Sequence, residues 1–155
     1  MELRTAEQIW VWSIALLCLK MFMVSFYTGW KRRTSHSPAN PEDAALVLRN
    51  SDHPTADPAD VQRGLGLHRN DMENIYVYMF ISIIFPIAAG YFKTPVPSYL
   101  PGAWTGLNIT FLVSRCAYGI CYIWGLQPWR TLSFWIGQLV SIIFAIFSMV
   151  ACLTG

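Results

Sequence analysis

Four long apolar runs limit what this 155-residue chain can fold into. Ile9 to Trp30 is broken by one charge, Lys20. Asn74 to Phe92 carries none, Ala103 to Trp124 carries only Arg115, and Leu132 to Leu153 carries none. Each run approaches the roughly 20 residues an α-helix needs to cross about 30 Å of hydrocarbon. A backbone in lipid must satisfy its own hydrogen bonds, and the runs lack the alternation of barrel strands, so helices are the remaining solution. The composition agrees. Charged residues make up 13% of the chain, against roughly 25% in a soluble domain. The expected fold class is an all-α membrane protein, a four-helix transmembrane bundle within a single domain, with spans near 9–30, 74–92, 103–124 and 132–153. The first run is too long for a signal-peptide core and reads as a retained span.

The net charge of +2 gives no reason to expect a nucleic-acid partner, and no zinc-finger, RNA-binding or P-loop pattern is present. Cys18, Cys116, Cys121 and Cys152 all fall inside the spans without metal-ligand spacing, which predicts small packing residues. The Asn108-Ile109-Thr110 sequon lies within the third span and is discounted.

Lys31, Arg32, Arg33 and Arg49 crowd the first loop, about 31–60, and Arg130 closes the third; Arg4 and Lys93 lie on the other face. The positive-inside rule puts the first and third loops in the cytosol. Asn40-Pro41-Glu42-Asp43 and Asp57-Pro58-Ala59-Asp60 each resemble a helix start, with Pro in the first turn beside acids. A second helix running from Pro58 to Phe92 would exceed the bilayer, and Pro86 would kink it. Pro95, Pro97 and Pro101 mark the second loop. Trp30, Trp104 and Trp129 read as interfacial anchors.

Polar residues collect at the helix ends. Arg69 and Glu73 are four apart on one face, with Asn70 beside them and Tyr76 a turn deeper. Arg115, Tyr118 and Tyr122 form a stripe on the third span. Arg130 and Thr131 open the fourth, with Phe134 and Gln138 on the face of Arg130. Ionisable residues in spans cost about 2.5–3.5 kcal/mol on insertion scales and mark functional sites by default. For Arg115 the competing reading is an ion pair holding the bundle; for Lys20 it is neutralisation of a buried acid. Together these residues suggest a pocket for a small zwitterionic or anionic ligand near the cytosolic face.

The run Ala39-Asn40-Pro41-Glu42-Asp43-Ala44, then Val61-Gln62-Arg63 and His68-Arg69-Asn70-Asp71-Met72-Glu73-Asn74-Ile75-Tyr76, resembles the MAPEG family, membrane-associated proteins of eicosanoid and glutathione metabolism. Its nearest branches are the microsomal prostaglandin E synthases and glutathione transferases. The resemblance implies a homotrimer of four-helix bundles with glutathione bound between subunits, and a hydrophobic electrophile or lipid hydroperoxide reaching the site through membrane lipid. By position, Arg69, Asn70, Glu73, Tyr122 and Arg130 match the glutathione-binding pattern, Arg32 the arginine that reaches in from a neighbouring subunit, and Arg115 and Tyr118 further pocket positions. Arg130 matches the arginine near the sulfur, Thr131 stands for a serine beside it, and Asp43 matches an acid proposed for proton chemistry. Gly66 replaces an arginine, Gln62 a glutamate, Tyr118 a histidine, Gly119 a threonine and Phe134 a tyrosine. These changes weigh against endoperoxide isomerisation more than against glutathione binding. The activity the resemblance implies is glutathione transfer to lipophilic electrophiles with lipid hydroperoxide peroxidase activity, the alternatives being an endoperoxide isomerase or a non-catalytic lipid-binding scaffold. The expected location is the endoplasmic reticulum in a eukaryote or the inner membrane in a bacterium.

Overall fold

A computed structural model describes residues 2–40, 42–43, 57–88 and 97–154. Pro41, Arg49, His53, residues 89–92, Lys93 and Pro95 lie outside the described residues. Four helices carry the fold: α1 (Leu3–Thr34), α2 (Ala59–Ala88), α3 (Leu100–Trp124) and α4 (Trp129–Thr154). All four are long and apolar enough to cross a membrane. This is a multi-pass integral membrane protein. The 30 residues of α2 rise about 45 Å, so its charged first turns extend past the hydrocarbon.

Local sequence explains the helix ends. Pro101, read above as loop, instead sits in the first turn of α3, where its missing N–H leaves no bond unmade. Gly125 ends α3 at φ 68°, a left-handed conformation that favours glycine, and Leu126 N–H returns to Cys121 O at 2.8 Å. Lys31, Arg32 and Arg33 occupy the last turn of α1, complementing its negative end.

In section, α1 and α4 each pack against both α2 and α3, and α2 meets α3 across the middle. Lipid tails are as apolar as leucine, so close packing and hydrogen bonding, rather than burial from water, must hold such a bundle. Small residues permit it. A Cβ on Gly64 would collide with the Thr28 hydroxyl, which brings α1 and α2 into near contact. Ser133, Ser141 and Ser148 return their hydroxyls to carbonyls one turn back in α4. One core layer stacks Tyr78 on Phe111 at 3.6 Å between ring centroids, with Phe144 tilted against Tyr78 and Phe85 edge-on to Phe144. A second layer, Val24, Leu67 and Tyr118, lies toward the polar end. The outer surface is apolar: Phe22, Phe26, Phe80, Trp135 and Leu153 are exposed, as lipid-facing side chains should be.

Trp104 is not an interfacial anchor. It is 3% exposed, stacks on Trp10 at 5.9 Å, and donates its indole N–H to Ser82 O at 2.9 Å. A buried indole N–H needs an acceptor, and the turn of α2 just before Pro86 supplies one. Asn108 is fully buried; it accepts from the Tyr78 hydroxyl and donates to Trp104 O at 2.7 Å, which explains the discounted sequon.

Candidate functional site

The last turns of α1 and α3 and the first turns of α2 and α4 meet at one end of the bundle. Arg130 is the second residue of α4, at the positive end of the helix dipole, which favours an anion; its own N–H is taken by Leu126 O at 3.0 Å. Its guanidinium lies 5.2 Å from the Tyr122 ring centroid. Tyr122 contacts Tyr118 at 5.5 Å, and Tyr118 contacts Phe134 at 5.9 Å. Beneath that aromatic layer the Arg115 guanidinium lies 5.2 Å from Tyr118, 5.5 Å from Phe134 and 5.6 Å from Phe111. Two arginines therefore bracket three rings, one at the polar end and one inside the bundle, in a cation–π arrangement.

Glycines make the close approaches possible. A Cβ on Gly66 would stand 2.5 Å from the Tyr122 hydroxyl, so the departure at Gly66 opens the place where that hydroxyl rests on α2. A Cβ on Gly137 would lie 3.1 Å from Arg115 Nε and 3.2 Å from Nη2, so its absence lets the guanidinium lie along α4.

Arg115 is 0% exposed. Its Nη1 donates to Asn70 Oδ1 at 2.9 Å, while Nε and Nη2 have no hydrogen-bond partner among the described residues. The competing reading for Arg115, an ion pair, is replaced by a bond to an amide. Lys20 does neutralise a buried acid: its Nζ donates to Asp71 Oδ2 at 2.5 Å, with Asp71 fully buried. The other oxygen of Asp71 likewise has no hydrogen-bond partner among the described residues. Lys20, Asp71 and Arg115 together leave one positive charge in excess inside apolar surroundings. An uncompensated buried charge is costly, so this belt favours a nearby anion.

Arg69 and Glu73 are exposed on the outer face of α2, together with Tyr76. Among the described residues neither makes an ion pair. Arg32 is engaged within its own chain: Nη1 and Nη2 donate to the two Asp57 oxygens at 2.8 and 2.9 Å, and Nη1 to Ser37 O at 3.3 Å. Asp43 is exposed and accepts from Asn40 Nδ2 at 3.3 Å, with no bond to another candidate among the described residues. The fold thus links Arg130, Tyr122, Tyr118, Arg115 and Asn70 through successive contacts. Arg69 and Glu73 lie on the adjoining face, and Arg32 and Asp43 stand apart.

Sequence reasoning passed over Gln127. Its amide joins Arg130 to Thr131: with the oxygen facing the guanidinium, Oε1 accepts from Arg130 Nε at 3.1 Å and Nη2 at 2.6 Å, and Nε2 donates to Thr131 Oγ1 at 3.0 Å. The opposite orientation, with Thr131 donating to the amide oxygen, would press amide N–H against guanidinium N–H. Its place three and four residues before Arg130 and Thr131, in the turn that leads into α4, was the available signal. Asp57 was read only as part of a helix start, because its partner Arg32 is 25 residues away across the polar loop.

Comparison with known proteins agrees with this architecture. Residues 9–150 match the profile of the MAPEG family. The human prostaglandin E synthase is 37% identical over 125 residues, covering 80% of this chain and 75% of its own length. The enzyme of that name from Rattus norvegicus is 36% identical over 134 residues, covering 86% and 78%. That from Macaca fascicularis is 35% identical over 125 residues, covering 80% and 75%. With four membrane-crossing helices and a family match across nearly all of its length, this chain belongs to the MAPEG family.

Proposed function

We propose that this protein is a membrane-bound glutathione-dependent transferase that acts on lipophilic electrophiles and reduces lipid hydroperoxides. The observation that carries this reading is the exposed couple Arg69 and Glu73, without an ion pair among the described residues, on a membrane helix, in a chain that also sets Arg130 at a helix N-terminus. Glutathione has two carboxylates, an ammonium and a thiol. Arg69 fits a carboxylate bidentately, with Asn70 beside it, and Glu73 fits the ammonium. Arg130 and the first turn of α4 fit a sulfur anion, with Thr131 as a hydroxyl donor. Tyr122, Tyr118 and Arg115 back the site, and the buried excess of positive charge favours the anionic form. The bound tripeptide supplies a sulfur nucleophile, so no protein nucleophile is required.

The outward position of Arg69 and Glu73 supports a homotrimer. Their face looks away from the bundle, where a second copy can cover a ligand that lipid cannot solvate. Arg32 of a neighbouring copy then exchanges Asp57 for a ligand carboxylate. The loop charges orient this end to the cytosol, in the endoplasmic reticulum of a eukaryote or the inner membrane of a bacterium.

The relatives favour a second reading, a prostaglandin E synthase-like endoperoxide isomerase using the same glutathione, with Asp43 as its proton acceptor. Product identity with an endoperoxide substrate separates the two. The test common to both is ultraviolet thiolate absorbance of glutathione mixed with detergent-purified protein at neutral pH, beside an Arg130→Ala variant. Absorbance in the parent and its loss in the variant are expected. Absence of both absorbance and glutathione binding in the parent would overturn the enzyme reading and leave a non-catalytic lipid-binding scaffold.

A further inference from the structure

We propose that Gln127 is a positioning residue for the thiolate site: it aims the Arg130 guanidinium and frees the Thr131 proton for donation. This rests on the reading of Arg130 as the sulfur-facing arginine. A guanidinium has five N–H donors arranged in two bidentate edges. Gln127 Oε1 occupies the Nε–Nη2 edge, at 3.1 and 2.6 Å, and the Tyr122 ring covers one face at 5.2 Å. The Nη1–Nη2 edge is left for a ligand, and rotation about the side chain is restrained from two directions.

The same amide sets the polarity of Thr131. Its hydroxyl oxygen accepts from Gln127 Nε2 at 3.0 Å, and among the described residues no acceptor takes the hydroxyl hydrogen. That hydrogen is available to a sulfur anion, as thiolate stabilisation requires. A neutral amide also leaves the charge of Arg130 uncompensated. A carboxylate at the same place would neutralise it and, having no N–H, would draw the Thr131 proton to itself. Gln127 thus provides two orientations at once without cancelling the field that lowers the thiol pKa.

The experiment compares the parent with Gln127→Met and Gln127→Glu. Met keeps the side-chain length and removes all three hydrogen bonds; Glu adds a charge and removes the donor. Thiolate absorbance at saturating glutathione is titrated against pH, and affinity for S-methylglutathione, which cannot form a thiolate, is measured in parallel. The apparent thiol pKa is expected to rise by about one unit in Gln127→Met, roughly tenfold less thiolate below it, and further in Gln127→Glu. S-methylglutathione affinity is expected to stay within about twofold, because that ligand makes no use of the aimed charge. Parent-like titrations in both variants would overturn the proposal while leaving the enzyme reading intact. A matching loss of S-methylglutathione affinity would also overturn it, making Gln127 a brace of the loop. A parent that forms no thiolate removes the reading on which it rests.

Discussion

Replacing Lys20 by Met isolates the energetic role of the buried belt. The Lys20 stem passes over α3 at Gly119, where a Cβ would lie 3.0 Å from Lys20 Cε, and Met preserves most of that stem. What is lost is the charge at 2.5 Å from Asp71, whose side chain is 0% exposed and already has one unpartnered oxygen. The variant buries a carboxylate with neither oxygen bonded. Removing one partner of a buried pair costs roughly 3–5 kcal/mol. Arg115 acts electrostatically on Asp71 and offsets part of this, so the lower end, about 3 kcal/mol, is expected. That is a change of roughly 150-fold in the folding equilibrium. Unfolding by SDS titration in mixed micelles, followed by circular dichroism, measures it. The double variant Lys20→Met with Asp71→Leu removes both charges and is expected within about 1 kcal/mol of the parent, since well-packed apolar replacements of buried pairs are often neutral. A Lys20→Met loss below about 1 kcal/mol, or a double variant as unstable as the two single losses added together, would refute the reasoning.

Two further perturbations probe the site. Gly137→Ala sets a methyl within 3.1–3.2 Å of Arg115 Nε and Nη2 and Ser114 Oγ, so the buried guanidinium must shift; a loss of about 1–3 kcal/mol is expected in the same SDS titration. Glu73→Gln removes the negative charge that this face of α2 offers to the glutathione ammonium, at an exposed side chain that makes no ion pair among the described residues. Glutathione affinity by calorimetry is expected to fall roughly 10- to 100-fold with unfolding unchanged, the value of a hydrogen bond to a charged group.

The sequence alone determined the solvent and the class of fold. Four apolar runs of membrane-crossing length leave the backbone no alternative to helices. It also located the polar end, because charges are rare enough in such a chain for Arg69, Glu73, Arg115 and Arg130 to stand out, and the run from His68 to Tyr76 carried the family. Partnership was decided by the tertiary structure. Lys20 found Asp71 51 residues away, Arg115 found Asn70 45 residues away, and Arg32 found Asp57 across the first loop. Helical periodicity reports which residues share a face, but not which face another helix presents to it at the same depth. Trp104 shows the limit most clearly. Its position near a span end reads as interfacial until packing against Trp10 and the Ser82 carbonyl encloses it. The space beside the glycines at 66, 119 and 137 is equally silent in sequence, because it has meaning only once Tyr122, Lys20 and Arg115 are seen to fill it.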